Sequence, residues 1–332
     1  MTNPLSSGTL RTMSDALDLS KLAKYFSNED AARALLEDMR WGKDGAVCPH
    51  CGGSDPYKLT PKTTSKKPGR KGLYKCRACR KQFTVTVGTI FEDSHIPISK
   101  WLLALHLLAS SKKGISAHQL HRNLGISYKG AWFMAMRLRH AAANGPMGTL
   151  MGPVVEVDEA YIGGRLRRGG GKRGRPGRDS HKTPVVALVE RGSGRVRAFP
   201  MVRVTANNLA KAIEANVKRN ATMMTDDFIA YKAVAEDTER KHVSVNHSKD
   251  EYVRGDAHTN TVEGFFSLLK RGVNGVYHYV SRGHLTRYCD EFAFRYEHRK
   301  VSDAQRAKLL VAGAEGKRLT YKQPDGISAQ SA

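Results

Sequence analysis

Four cysteines fall as two Cys-x-x-Cys pairs, Cys48 with Cys51 and Cys76 with Cys79, and residues 52–75 lie between the pairs. A two-residue spacing lets one tight turn present two thiolates. Two such turns close a tetrahedral shell of four sulfurs around zinc and leave no open position. This constrains the fold more than any other feature of the chain, because the turns must be held face to face by short strands, as in a zinc ribbon. A redox dithiol would belong with a βαβ pattern, and none surrounds these pairs. His50 lies inside the first knuckle and is read as a bystander. The spacer is basic at Lys58, Lys62, Lys66, Lys67, Arg70 and Lys71, as a surface for DNA phosphates or a solvated loop would be. The fifth cysteine, Cys289, shares a helical face with Leu285, Tyr288, Phe292 and Tyr296 and reads as core.

The rest of the chain is strongly cationic. Its 332 residues carry 55 Lys and Arg against 31 Asp and Glu, a net charge of +24. Such a balance points to a polyanionic partner, since neutralising phosphates releases condensed counterions. Nucleic acid is the first candidate and an anionic membrane surface the second. No apolar run approaches the ~20 residues of a membrane span. The longest, Trp101 to Ala109, is interrupted by His106. There is no signal-peptide h-region either. The expectation is a cytoplasmic, nucleoid-associated protein of about two domains, with no membrane partner.

In chain order, residues 14–41 are predicted helical, with Ser27 as N-cap and Ala31, Leu35, Leu36 and Met39 at helical spacing, ended by Gly42-Lys43-Asp44-Gly45. Gln82 to Gly88 alternates as a strand. Ile98–Ser110 reads as a buried helix, a second begins at 115–120, Leu124-Gly125-Ile126-Ser127 makes a turn, and a third runs from Tyr128 to Ala143 with Ser127 as N-cap. This resembles a helix-turn-helix, with Tyr128, Lys129 and Trp132 heading the recognition helix. An αα-hairpin without a DNA role has the same pattern. Asn144-Gly145-Pro146-Met147-Gly148 marks a linker. The predicted divisions are 14–92 (helix and ribbon), 93–145 (helix-turn-helix region), 150–300 (α/β domain) and 301–332 (polar tail).

The second half alternates strand and helix. Strands are expected at Val154–Glu159, Val185–Val189, within Val196–Val204, at Thr222–Asp227 and at His242–His247. Helices are expected at Leu209–Val217, Phe228–Ala235 and His284–His298. Period-two alternation puts Glu156 and Asp158 on one face of the first strand and Glu159 on the other. Residues 165–182 read as a disordered cationic loop able to grip phosphates through Arg165, Arg167, Arg168, Lys172, Arg173 and Arg175, or as a solubilising insert. The stretch from His258 to Lys270 reads as a helix start with Phe265, Phe266, Leu268 and Leu269 to bury. Glu263 and Lys270 then lie two turns apart on one face.

An antiparallel hairpin, an αβ unit and a late acidic helix suggest an RNase H-like layout. Asp158 and Asp226 stand at strand ends and Glu263 on the helix. Three converging carboxylates suit two Mg²⁺ or Mn²⁺ ions, which prefer hard oxygen ligands, and such a pair serves in-line phosphoryl transfer. The motifs Cys-Pro-His-Cys-Gly, Val-Asp-Glu-Ala-Tyr-Ile-Gly-Gly at 157–164, Thr-Asp at 225–226, Val-Asn-His-Ser at 245–248, the run 258–271 and Tyr-Cys-Asp-Glu-Phe-Ala-Phe-Arg-Tyr at 288–296 occur in that order. Together they resemble the insertion-sequence transposases of the ISXO type, which carry a zinc ribbon before a DDE integrase-like core. The resemblance spans about Asn28 to Lys300. It implies that Asp158, Asp226 and Glu263 match the DDE triad and Lys270 the basic residue after it. Some relatives use asparagine in the third role, which keeps Asn260 as the alternative to Glu263; Asp227 is the neighbour of Asp226 that could be mistaken for it. His258 and His247 line the site or contact DNA, or are surface or structural histidines. The resemblance further implies cleavage at terminal inverted repeats and strand transfer into target DNA within a synaptic homo-multimer. A nuclease on the same core and a non-enzymatic DNA-binding regulator are the competing readings.

Overall fold

The computed structural model describes residues 19–60, 70–143, 150–163, 182–238, 240–245 and 258–321. Described residues up to Ala142, with those from Val301 onward, make one compact unit, and those from Ala143 to Lys300 make the other.

The first unit opens with α1 (Leu19–Phe26) and α2 (Glu29–Trp41), so the predicted helical stretch is broken at residues 27–28. The cap of α2 is Asn28, whose side chain accepts from the Asp30 and Ala31 amides at 3.0 and 3.1 Å. Ser27, the expected cap, instead donates back to the Ala23 carbonyl of α1. The buried face of α2 is Ala32, Leu35, Leu36 and Met39. The ribbon is an antiparallel sheet of β1 (Pro56–Lys58), β2 (Tyr74–Cys76) and β3 (Gln82–Phe83). β3 has two residues where a strand through Gly88 was expected. Beyond Phe83 the chain turns: the Val87 amide donates to the Thr84 carbonyl, Thr84 and Thr86 hydroxyls bond each other, and Gly88 adopts a positive φ of 75°. Local side-chain bonds of this kind compete with a sheet ladder.

Three helices follow: α3 (Ile98–Ser110), α4 (Ala117–Leu124) and α5 (Tyr128–Ala142). Pro97 precedes α3 and offers no side-chain acceptor, so the orphan amides of Ile98 and Ser99 are met by the Glu29 carboxylate at 2.7 and 3.1 Å. Between α4 and α5, Gly125 takes the left-handed conformation and Ser127 Oγ accepts from the Gly130 amide at 3.1 Å, the expected cap.

The second unit is built on a five-stranded sheet. In chain order its elements are β4 (Val154–Ile162), β5 (Thr183–Glu190), β6 (Val196–Pro200), α6 (Ala206–Asn216), β7 (Thr222–Asp226), α7 (Ile229–Asp237), β8 (His242–Val245), α8 (Asn260–Gly272) and α9 (Leu285–Glu297). The sheet order is β6-β5-β4-β7-β8. β4, β5 and β6 are antiparallel neighbours, whereas β7 runs parallel to β4 and β8 parallel to β7. This is the RNase H-like arrangement, an antiparallel meander followed by parallel strands. One face of the sheet packs Val155, Val157, Val186, Leu188 and Met223 against Leu209, Ile213, Tyr231 and Val234 of α6 and α7. α8 and α9 cover the other face through Phe265, Phe266, Leu269 and Phe292, each at most 2% exposed. Burying each of these side chains contributes about 1.5–3 kcal/mol. α8 and α9 approach closely at Gly272, where a Cβ would fall 2.0 Å from the Phe292 ring.

In place of the expected polar tail, the described part of 301–332 is folded. It forms α10 (Asp303–Ala312), opened by a capping box between Ser302 and Gln305. Ala304, Ala307, Leu310 and Val311 are buried, and Arg306 donates to the Ala109 carbonyl at 2.9 Å. Arg40 forks onto Glu315 at 2.6 and 2.7 Å. No helix among the described residues is long and apolar enough to cross a membrane.

Candidate active site and zinc centre

The four cysteines converge as their spacing predicts. Their ligand atoms all lie within 4.8 Å of one another. Cys48 and Cys79 are 3.6 Å apart at sulfur, as are Cys51 and Cys76. A tetrahedron with Zn–S bonds of ~2.3 Å sets sulfurs about 3.8 Å apart, whereas a disulfide would need ~2.05 Å. The donor set therefore fits one structural zinc. Phe83 packs against the cysteines with Trp41 and Tyr74, so the centre rests on an aromatic floor. The Cys79 amide brings the Cys76 thiol down to about 7. The Gly53 amide pulls Cys51 downward, but the thiols of Cys79 and Cys76 outweigh it and carry the group up to about 11.

The carboxylates are assembled by strand register. β4 and β7 are adjacent and parallel, with Val154 opposite Thr222 and Glu156 opposite Met224. Two residues further along each strand stand Asp158, which lies mid-strand because β4 runs on to Ile162 beyond the expected end at Glu159, and Asp226, at the carboxyl end of β7. Equal register brings them level and onto one face, and neighbouring strands lie only ~4.8 Å apart. The crevice beyond the carboxyl ends of parallel strands is where open α/β sheets bind ligands. Burial raises the Asp158 carboxyl to about 7, and the charges of Glu159, Asp226 and Glu263 add to the rise although the Glu159 amide opposes it. Asp226 also accepts from the Phe228 amide at 3.2 Å. Asp227 is paired with Lys232 at 2.7 Å on α7.

Glu263 reaches the site because α8 is pinned by Glu156. That carboxylate is fully buried. It accepts from the Thr261 and Val262 amides at 2.8 and 3.0 Å and from the Thr261 hydroxyl at 2.8 Å. Arg191 donates to it at 2.5 Å and also to the His258 carbonyl at 2.6 Å. An anion at the first amides of a helix satisfies orphan donors and meets the positive end of the macrodipole. Thr259 Oγ1 donates to Glu263 at 2.9 Å. In the sequence Glu156 is only a face-mate of Asp158; its partners lie 35 residues away at Arg191 and 105 and 106 away at Thr261 and Val262, and no local signal announces them.

The remaining sequence-predicted residues fall as follows. Asn260 is the first residue of α8 and exposed. His258 Nδ1 stands 3.4 Å from Glu156 without hydrogen-bond geometry, so it belongs with the helix anchor. Glu159 accepts from the buried Tyr231 hydroxyl at 2.6 Å, on the sheet face opposite Glu156, as alternation predicts. Lys270 is exposed and lines a cavity beside β4. In the first unit, Tyr128 stacks on His118 at 4.3 Å, while Lys129 and Trp132 pack near Tyr321. Lys58 and Lys71 of the basic spacer pair with Glu37 and Asp30. Lys62, Lys66, Lys67, His247 and the cationic residues Arg165, Arg167, Arg168, Lys172, Arg173 and Arg175 lie outside the described residues. Among the described residues, only the cysteine quartet draws three or more ligand-type groups within 4.8 Å; the acids are more widely spaced than a single-ion cage.

A closed four-cysteine ribbon preceding an RNase H-like sheet, with acids level on adjacent parallel strands, defines the class: a polynucleotidyl transferase of the DDE kind. Comparison with known proteins narrows it. Residues 149–297 match the ISXO2-like transposase domain, and residues 27–82 match the transposase zinc-ribbon domain. An uncharacterized protein in transposable element ISH50 of Halobacterium salinarum is 31% identical over 284 residues, covering 82% of this chain and 92% of that protein. The HTLV-2 integrase catalytic core domain, solved as a dimer with magnesium, is similar over 45% of this chain and 86% of its own, at 12% identity and a TM-score of 0.27. The chain belongs to the ISXO2-like transposase family.

Proposed function

We propose that this transposase binds the terminal inverted repeats of its element, cuts there and joins the freed end to target DNA, with Asp158, Asp226 and Glu263 as its metal-binding triad. The observation that carries the reading is the equal register of Asp158 and Asp226 on β4 and β7, with α8 anchored so that Glu263 adds to the charge around Asp158. The donors fit Mg²⁺ or Mn²⁺: three hard oxygen groups, one of them a buried carboxyl that carries its charge at a cost until a cation neutralises it. Two such ions would supply Lewis acidity to the attacking and leaving oxygens of the phosphodiester. The chain's own part is positional. Glu156 and Arg191 hold the helix start, and Lys270, two turns past Glu263, offers a cation to a strand phosphate.

For DNA holding, the start of α5, with Tyr128 and Lys129 exposed and Trp132 half-buried beside them, serves as a reading head. The cations of 165–182 supply sequence-independent grip on the backbone. Assembly of two ends requires a homo-multimer. The test is cleavage of terminal-repeat DNA in Mg²⁺ by wild type and by Asp226→Asn, followed by integration of pre-cleaved ends into supercoiled DNA. Cutting and joining by wild type alone is expected. Cutting without joining would favour a nuclease. Binding without cutting by either protein would favour a regulator.

A further inference from the structure

Past Asp158, β4 continues into a cavity of about 640 Å³ that the triad does not use, bounded by Glu159, Lys182, Lys270, Asn274, His278 and Tyr279. We infer that this cavity holds one unpaired nucleotide of the DNA strand being processed, with its base against Tyr279 and its phosphate between Lys182 and Lys270. The inference rests on the DNA-processing reading and deepens it.

Four observations converge. First, Tyr279 is 64% exposed, a large ring left in water at the cavity's edge. Second, the backbone is bent to place it there. His278 takes φ 60° and ψ −38°, the left-handed side that a non-glycine residue avoids, and the Tyr279 amide closes a one-residue turn onto the Tyr277 carbonyl at 2.6 Å. Such conformations persist only where surrounding structure enforces them. Here the Tyr277 hydroxyl donates to the buried Glu291 at 2.8 and 3.0 Å, and Arg295 donates to the same carboxylate at 2.7 Å. Third, the lining is cationic at Lys182 and Lys270, and the one acid among its described residues, Glu159, is engaged by the Tyr231 hydroxyl. Fourth, the position suits a substrate strand. Lys270 lies seven residues beyond Glu263 on the same helix. That is about 10 Å of rise, or about three stacked nucleotide steps of ~3.4 Å along a strand.

A base paired within a duplex has both faces covered and cannot enter a cavity. An unpaired base can, and an aromatic ring returns the stacking it lost. The ligand class is therefore a nucleotide that is unpaired at the DNA end.

The test compares binding of the full-length protein, without added Mg²⁺, to a blunt DNA duplex and to the same duplex bearing three-nucleotide single-stranded ends. Wild type is expected to prefer the overhang by about tenfold, and to quench 2-aminopurine placed in it. Tyr279→Ala should bring the ratio close to one, and Tyr279→Phe should keep it. Equal binding of both duplexes by wild type, or a preference that survives Tyr279→Ala, would overturn the inference. Asp226→Asn should retain the preference. If wild type keeps the preference but cuts no terminal-repeat DNA, the catalytic reading fails and the cavity's role stands.

Discussion

Asp158→Asn should make the protein more stable when no divalent cation is added, although on our reading it abolishes cleavage. The Asp158 carboxyl is carried from 3.8 to about 7, first by burial and then by the charges around it. Each pH unit between those values is worth about 1.4 kcal/mol, so the ionised form costs the fold about 4 kcal/mol at most. Relaxation of the site trims this, and a gain of about 2 kcal/mol is expected for the neutral isostere at pH 8. The raised pKa sets the sign. The penalty is absent below pH 3.8, grows as pH rises through the window to about 7, and is full above it. The gap between variant and wild type should therefore widen from pH 5 to pH 8. The Asn side chain still accepts from the Glu159 amide, so no donor is orphaned. Urea denaturation of the two full-length proteins measures the difference, and their ribbons are identical. Mg²⁺ should then reverse the ranking, because a ligand at a hundred times its Kd stabilises the wild type by about 2.7 kcal/mol and the variant far less. A variant less stable than wild type at pH 8 without Mg²⁺, or equal stabilisation of both by Mg²⁺, would refute the argument.

Glu156→Gln should destabilise the fold by about 3 kcal/mol, because it leaves the Arg191 guanidinium without its carboxylate; denaturation measures this, and Mg²⁺ stabilisation should weaken with it as α8 loses its anchor. Metal analysis should find one zinc per chain in wild type and none in Cys76→Ser, and acidification should release the wild-type zinc, because protons compete with the metal for the four thiolates. Arg195, with Ser193 and the Gly152 amide, holds Glu190 down to about 2 from 4.5. Its stabilisation is present above pH 4.5 and is lost as pH falls toward 2, so Glu190→Gln should flatten the acid side of the stability profile across that window. Ser127→Ala should cost about 1 kcal/mol by uncapping α5.

How much could be read in advance depended on the range of the forces involved. The α3 helix was legible to the residue, since apolar positions fill it and Pro97 sets its start. The zinc centre was legible because metal geometry fixes sequence spacing. The strand expected over residues 82–88 failed where Thr84 and Thr86 bond to each other, a choice that alternation of apolar residues does not record. α10 is masked in the sequence by its polar surroundings. Yet Ala304, Ala307, Leu310 and Val311 keep helical spacing, and the Ser302–Gln305 capping box precedes them. A count of polar residues hid a pattern that spacing would have exposed.

β4 shows where reading a sequence stops. Glu156, Asp158 and Glu159 are three carboxylates within four residues, and residue type does not distinguish them. Alternation separates Glu159, which turns to the opposite face and meets Tyr231. It leaves Glu156 and Asp158 equivalent. What divides them is how each buried charge is met. Glu156 has an arginine, two helix amides and a hydroxyl, enough to keep a fully buried anion in place. Asp158 accepts from the Glu159 amide and otherwise feels other acids. A buried carboxylate whose charge is answered by protein groups is a structural strut. One whose charge is raised in energy by its neighbours is poised for a cation from solution. The first residue therefore anchors the start of α8, and on our proposal the second shares a metal with Glu263.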